Sequence, residues 1–211
     1  MPRRHFSRSD NLRRALAQEA ARIMAEQGIH DFLTAKRKAG ERLGVTDESA
    51  MPRNTEVEAA LVEYQRLFRA DSHPETLLAQ RQAALRAMQC LAAFDPRLVG
   101  PVLSGTATAY ADVQLHLFAE RAESVALQLL DRGIAHEVTE RRLRFDALRS
   151  RSYPGLRFAL NQQMFEVTVF PLDGIRQAPV SPVDGRPMRR ADAAELSLLV
   201  SPAPRPASQR L

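Results

Sequence analysis

The sequence predicts an α+β fold, with an all-helical N-terminal half (residues 1–94) packed on a small sheet domain (residues 95–200). Three observations carry this. Apolar residues recur at steps of three and four through residues 10–93, the period of amphipathic helices. From Arg97 the pattern changes, and apolar residues alternate with others over 113–118 and again over 156–170. The elements then run strand, strand, helix, strand and hairpin, which is an α+β order rather than a repeated βαβ unit.

The first helix is expected over residues 10–27. Ser9 or Asp10 caps it, Leu12, Leu16, Ala20, Ile23 and Met24 mark its stripe, and Gly28 stops it. A second helix over 31–43 carries Phe32, Ala35, Ala39 and Leu43 on its narrow apolar side and ends at Gly44. Its Lys36, Arg37, Lys38 and Arg42 read as a solvated face. Residues 45–53 read as a loop, and Asn54 as the cap of a third helix over 55–70 with the stripe Val57, Leu61, Tyr64 and Phe68. Pro74 suits the first turn of a fourth helix that runs to residue 93, with Leu77, Leu78, Arg81, Leu85, Met88 and Leu91 or Ala92 inward.

Residues 98–103 are apolar enough for a buried strand, with Pro101 marking an edge or bulge. Ser104, Gly105 and Thr106 break it. In the next strand Val113, Leu115 and Leu117 alternate with Gln114 and His116, so Asp112, Gln114 and His116 share a face. A helix over 120–132 ends at Gly133, and a charged strand follows over 134–145. Leu156, Phe158 and Leu160 form one arm of a hairpin, turned at Asn161, Gln162 and Gln163, and 164–170 form the other. Residues 172–191, rich in proline and glycine, make an irregular segment, and Asp192 with Glu195 caps a final short helix. Residues 1–9 read as a loose basic arm, and 201–211 as a disordered tail.

Composition narrows the classes. All but two of the 30 basic residues are arginines, and the net charge is +5, which permits a polyanionic partner without requiring one. Cys90 is the single cysteine, so a disulfide framework is excluded, and a buried structural thiol is the expectation. No apolar run approaches the ~20 residues of a membrane helix, and the basic start lacks the apolar segment of a secretory signal. A cytoplasmic protein is expected. The chain carries no Walker phosphate loop, no dinucleotide fingerprint and no paired-cysteine zinc pattern.

The functional lead is residues 98–118 together with Glu166. A strand ending in Gly105-Thr106, a second strand beginning at Asp112, and a later strand carrying Glu166 resemble the polymerase-β-type nucleotidyltransferases. The likeness covers roughly residues 95–200. It implies a small mixed-sheet nucleotidyltransferase-like domain, with Asp112 and Glu166 as catalytic metal ligands and Mg²⁺ or Mn²⁺ as cofactor. It also implies a nucleoside triphosphate held at Gly105 and Thr106, and RNA or another polyanion as a further partner. The chain departs from the family twice. Gln114 stands where a second carboxylate is usual, and only residues 107–111 separate Thr106 from Asp112.

The residues themselves add candidates. His116 shares the face of Asp112, so Asp112, His116 and Glu166 form a candidate metal set suited to Mn²⁺ or Zn²⁺. Arg186, Arg189 and Arg190 are candidates to clamp a triphosphate, and Tyr110 to stack on a base. Three classes follow: an active nucleotidyl-transfer enzyme, a degenerate member that binds nucleotide or RNA, and a helical interaction module whose sheet is only scaffold.

Overall fold

Amphipathic stripes and end signals set the helices of the N-terminal half. The computed structural model of the chain describes residues 8–45, 47–146 and 148–201. Helix α1 spans Arg8–Gln27, beginning two residues earlier than the sequence implies, so Ser9 and Asp10 lie in its first turn rather than at a cap. Asp31 caps α2 (Phe32–Leu43) by accepting from the Thr34 N–H at 2.7 Å, and Gly44 ends it with φ +64°. Helix α3 spans Asn54–Phe68. Its cap is not Asn54, whose side chain donates to the Pro182 carbonyl; instead Glu56 accepts from the Arg53 N–H at 2.7 Å. Helix α4 spans Ser72–Cys90. Among the described residues, the first 94 contribute no strand, and no helix is long and apolar enough to cross a membrane.

Two cores form. Leu16, Ala20 and Ile23 of α1 are fully buried against Ala35, Ala39 and Val57 of α2 and α3. Small alanines let these helices approach closely. Phe68, expected inward, is 68% exposed and packs on Tyr64 with ring centroids 4.8 Å apart. Helix α4 belongs instead to the sheet's core, through Ala84, Ala87, Met88 and Leu91. Leu78, expected inward, is exposed, and Cys90 is half-buried.

The region read as one strand over 98–103 divides. Strand β1 covers only Arg97–Val99, and Gly100–Ser104 is a short helix, α5, with Pro101 in its first turn. Six apolar residues cannot by themselves tell a strand from a buried helical turn, and proline's fixed φ suits a helix start. Strand β2 (Val113–Phe118) follows, then α6 (Ala122–Asp131), β3 (His136–Arg144), β4 (Ser150–Leu160), β5 (Gln163–Phe170) and α7 (Ala193–Val200). Asn161 and Gln162, at φ +50° and +67°, form the two-residue hairpin turn between β4 and β5. Asp192 caps α7 by accepting from the Glu195 N–H at 2.8 Å. The basic arm and the tail lie, over residues 1–7 and 202–211, outside the described residues.

The sheet is mixed, in the order β1-β2-β5-β4-β3. Strands β2 and β5 run parallel, and the other pairings are antiparallel. Leu115, Leu117, Val167, Leu156 and Phe158 lie buried on one face, in a core shared with α4, α6 and α7. Each such side chain contributes about 1.5–3 kcal/mol by leaving water. The opposite face is polar at one end and aromatic at the other. It carries Gln114, His116 and Phe118 from β2, and Glu166, Thr168 and Phe170 from β5.

Gly155 shapes that polar face. It pairs with Thr168 on one side and Thr139 on the other, and a Cβ there would stand 2.6 Å from Thr139 Oγ1 and 2.9 Å from the Val167 carbonyl. Gly155→Ala should therefore destabilise the fold by about 1–3 kcal/mol, the usual cost of overpacking. Urea unfolding measures this, and an unchanged midpoint would show that the notch has room to spare.

Candidate functional site

The polar end of the open face is built by register. Gln114 pairs with Glu166 across the parallel β2–β5 contact, and Arg157 pairs with Glu166 across the antiparallel β5–β4 contact. Gln114, Glu166 and Arg157 thus form one row on one face. Asp112, just before β2, joins it, because Arg157 Nε donates to Asp112 Oδ2 at 3.2 Å. Arg141 of β3 reaches past β4, over the notch at Gly155, and its Nη1 donates to Glu166 Oε1. Glu137 stands opposite Arg157 at the exposed rim.

Asp112 and Glu166 therefore do lie on one face, on β2's leading end and on β5, as the alternation implied. Each, however, is engaged by an arginine. The Arg157–Asp112 pair is partly exposed, with side chains 44% and 24% accessible, so it contributes under about 1 kcal/mol and can exchange for a ligand.

His116 is on the expected face, but it is 3% exposed and its Nδ1 accepts from Arg190 Nε at 3.0 Å. Burial first, and then the charges of Arg190 and Arg141, lower its pKa from 6.5 to about 3. The ring is thus neutral and packs on Phe170 with centroids 4.7 Å apart. Arg190 is fixed in turn. Its guanidinium lies 5.1 Å from the Phe118 ring and 4.9 Å from the Phe170 ring, and Nη1 donates to the Gly174 carbonyl at 2.9 Å. Burial and the nearby Arg97 lower its pKa to about 10, and it stays charged at neutral pH. Arg190 is a clamp on the 172–191 segment, and Arg189 is tied to Glu195. Both arginines, read from the sequence as triphosphate contacts, are held by the protein's own groups.

Gly105 and Thr106 also face another way. The N–H groups of Gly105, Thr106 and Ala107 all donate to the Pro101 carbonyl, at 2.9, 3.0 and 3.1 Å. Gly105, at φ +89°, ends α5, and its amides satisfy that helix's own last turn rather than a phosphate. Gln65 of α3 donates to the carbonyls of Thr106 and Ala107 at 3.1 and 3.2 Å, which fixes the turn against the helical half.

The donors present do not fit a two-metal centre. Among the described residues, no three His, Cys, Asp or Glu side chains stand together as a metal-binding group. Gln114 offers one neutral oxygen, and two guanidiniums stand against the two carboxylates, repelling a second cation. What the row offers instead is two planar guanidiniums that match phosphate oxygens, with an amide at its β2 end that both donates and accepts.

Arg141 and Arg157 were not singled out from the sequence. The signal for Arg157 was present: a two-residue turn at Asn161-Gln162 places residue 157 opposite 166 by counting. Arg141 had no such signal, because its reach depends on the missing side chain of Gly155. No family model matches the chain, and no curated protein matches it.

The buried His116 makes stability depend on pH. The unfolded chain binds its proton near pH 6.5 and the folded chain only near 3, so the contribution is complete above 6.5 and is lost as pH falls toward 3. One such proton gives a slope approaching about 1.4 kcal/mol per pH unit. Denaturant midpoints measured from pH 7 to pH 4 should fall less steeply for His116→Gln than for the wild type. Parallel curves would remove His116 from the account.

Proposed function

We propose that this chain is a nucleotidyltransferase-like protein of the degenerate kind, which binds a nucleotide on the polar face of its sheet without two-metal transfer. The observation that carries the reading is the row Gln114–Glu166–Arg157, with Asp112 and Arg141 attached to it. It occupies the positions where the resemblance puts the metal-binding carboxylates. Arginine side chains there favour phosphate, and Gln114 removes the negative charge that would repel it. Arg141 and Arg157 contact the phosphates by exchanging their carboxylate partners for phosphate oxygens. Asp112 and Glu166 then hold at most one divalent ion, Mg²⁺ or Mn²⁺, brought in with the nucleotide.

Calorimetric titration of ATP or GTP with and without Mn²⁺ tests this. The expected results are binding with no more than one ion per chain, about tenfold weaker binding for Arg157→Ala, and no label transfer from α-labelled nucleotide. Gln114→Asp should raise affinity for the ion. Robust transfer by the unaltered protein, lost in Asp112→Asn, would establish an active enzyme instead.

A further inference from the structure

A second polar hollow lies away from the sheet face, where the turn between α3 and α4 meets residues 105–110. It has two adjoining parts that share Gln65, Arg69 and His73. The outer part, about 340 Å³, is walled by Val62, Ala70 and Pro74 with Arg66 at its side. The inner part, about 80 Å³, is lined by Ser72, Thr76, Thr108 and Tyr110. No aspartate or glutamate lines either part.

Three features of the inner part point to an anion. Arg69 makes no side-chain hydrogen bond or ion pair among the described residues, whereas Arg66 beside it is paired with Glu63. Thr108 is 7% exposed, yet its hydroxyl has no partner. A buried hydroxyl without a partner costs about 1–3 kcal/mol, and because Thr108 lines the hollow, a turn about its χ1 brings the hydroxyl to an acceptor placed there. Finally, the wall is fixed in place. His73 Nε2 lies 3.1 Å from the Ala107 carbonyl, and His30 Nε2 lies 3.0 Å from the Tyr110 carbonyl. Tyr110 itself seats against Gly28, where a Cβ would stand 3.1 Å from the tyrosine's own Cβ. Tyr110, a base-stacking candidate in the sequence, thus stands at this hollow.

We propose that this hollow binds a phosphomonoester of nucleotide size. The phosphate sits in the inner part on Arg69, Thr108 and Ser72, and the organic group lies in the outer part against Val62 and Pro74. Size agrees with this. The inner part has the volume of two to three waters at about 30 Å³ each, room for one tetrahedral oxyanion. The outer part reaches the low end of small-molecule sites, about 300–1,000 Å³. This site is separate from the sheet face and needs no divalent ion.

The test is calorimetric titration of the full chain, in metal-free buffer, with AMP, adenosine and inorganic phosphate. AMP should bind, inorganic phosphate should compete with it, and adenosine should bind about tenfold more weakly or worse. Arg69→Ala should weaken AMP about tenfold, Arg69→Lys should recover part of that, and Thr108→Val should weaken it several-fold. The Arg69 side chain makes no hydrogen bond or ion pair among the described residues, so its replacement should leave folding intact, and circular dichroism checks this. AMP binding that Arg157→Ala removes and Arg69→Ala keeps would lie on the sheet face. Failure of AMP to bind, equal binding by Arg69→Ala, or loss that follows Arg157→Ala would each overturn the proposal. The Mn²⁺–ATP titration on the sheet face is decided separately, because Arg69→Ala does not touch it.

Discussion

The fold depends on a stretch of backbone that must run between two cores with its polar groups satisfied. Residues 106–110 lie between the α1–α3 core and the sheet, where an unpaired carbonyl is costly. The carbonyls of Thr106, Ala107, Thr108 and Tyr110 are met by side chains from the helical half. Gln65 serves Thr106 and Ala107, Gln80 serves Thr108 at 2.9 Å, and His30 serves Tyr110. Gln65 and Gln80 are themselves buried, at 5% and 3% exposure, so each amide is committed to this one task. The two halves are joined by these directional bonds as well as by apolar contact. The same bonds set where β2 starts, and hence where Asp112 stands.

From that anchor the polar face follows by counting. The parallel pairing of β2 with β5 brings residue 114 to residue 166, and the tight hairpin brings residue 157 to the other side. The charge pattern of the row is then a consequence of a few side-chain types. With a carboxylate at 114, the face would carry one more negative charge and would suit cations. With an amide there, the guanidiniums of Arg141 and Arg157 match Asp112 and Glu166 one for one.

Much of this was legible in the sequence, and the reasons differ by element. Asp31 and Gly44 bound α2, and Asp192 begins α7, because short-range capping chemistry does not depend on the rest of the chain. The faces of β2 and β5 followed from alternation, so Asp112, Gln114, His116 and Glu166 were placed on one face correctly, though not as one metal-binding group. Their partners were not legible. His116 meets Arg190, 74 residues on, and nothing local marks that contact. The amides of Gly105 and Thr106 turned inward because the short apolar run before them closes into a helical turn. Helix α4 buries alanines in place of its leucine at 78 because the sheet, not its own stripe, decides which side is covered.

The far edge of the sheet has a consequence for solution behaviour. Strand β3 has a neighbour on one side only, so its other side offers free backbone groups to any chain that can lie alongside. Val138 is 73% exposed on it, an invitation to such pairing. Around that valine the strand is crowded with Glu137, Glu140, Arg141, Arg142 and Arg144, and its end is closed where the Val180 N–H donates to the Arg144 carbonyl at 2.7 Å. Charged side chains along an edge strand hold water against its unpaired backbone groups, so an apolar strand that lies alongside must strip that water first. The edge is thereby left open but dressed in charge, which works against pairing with apolar strands.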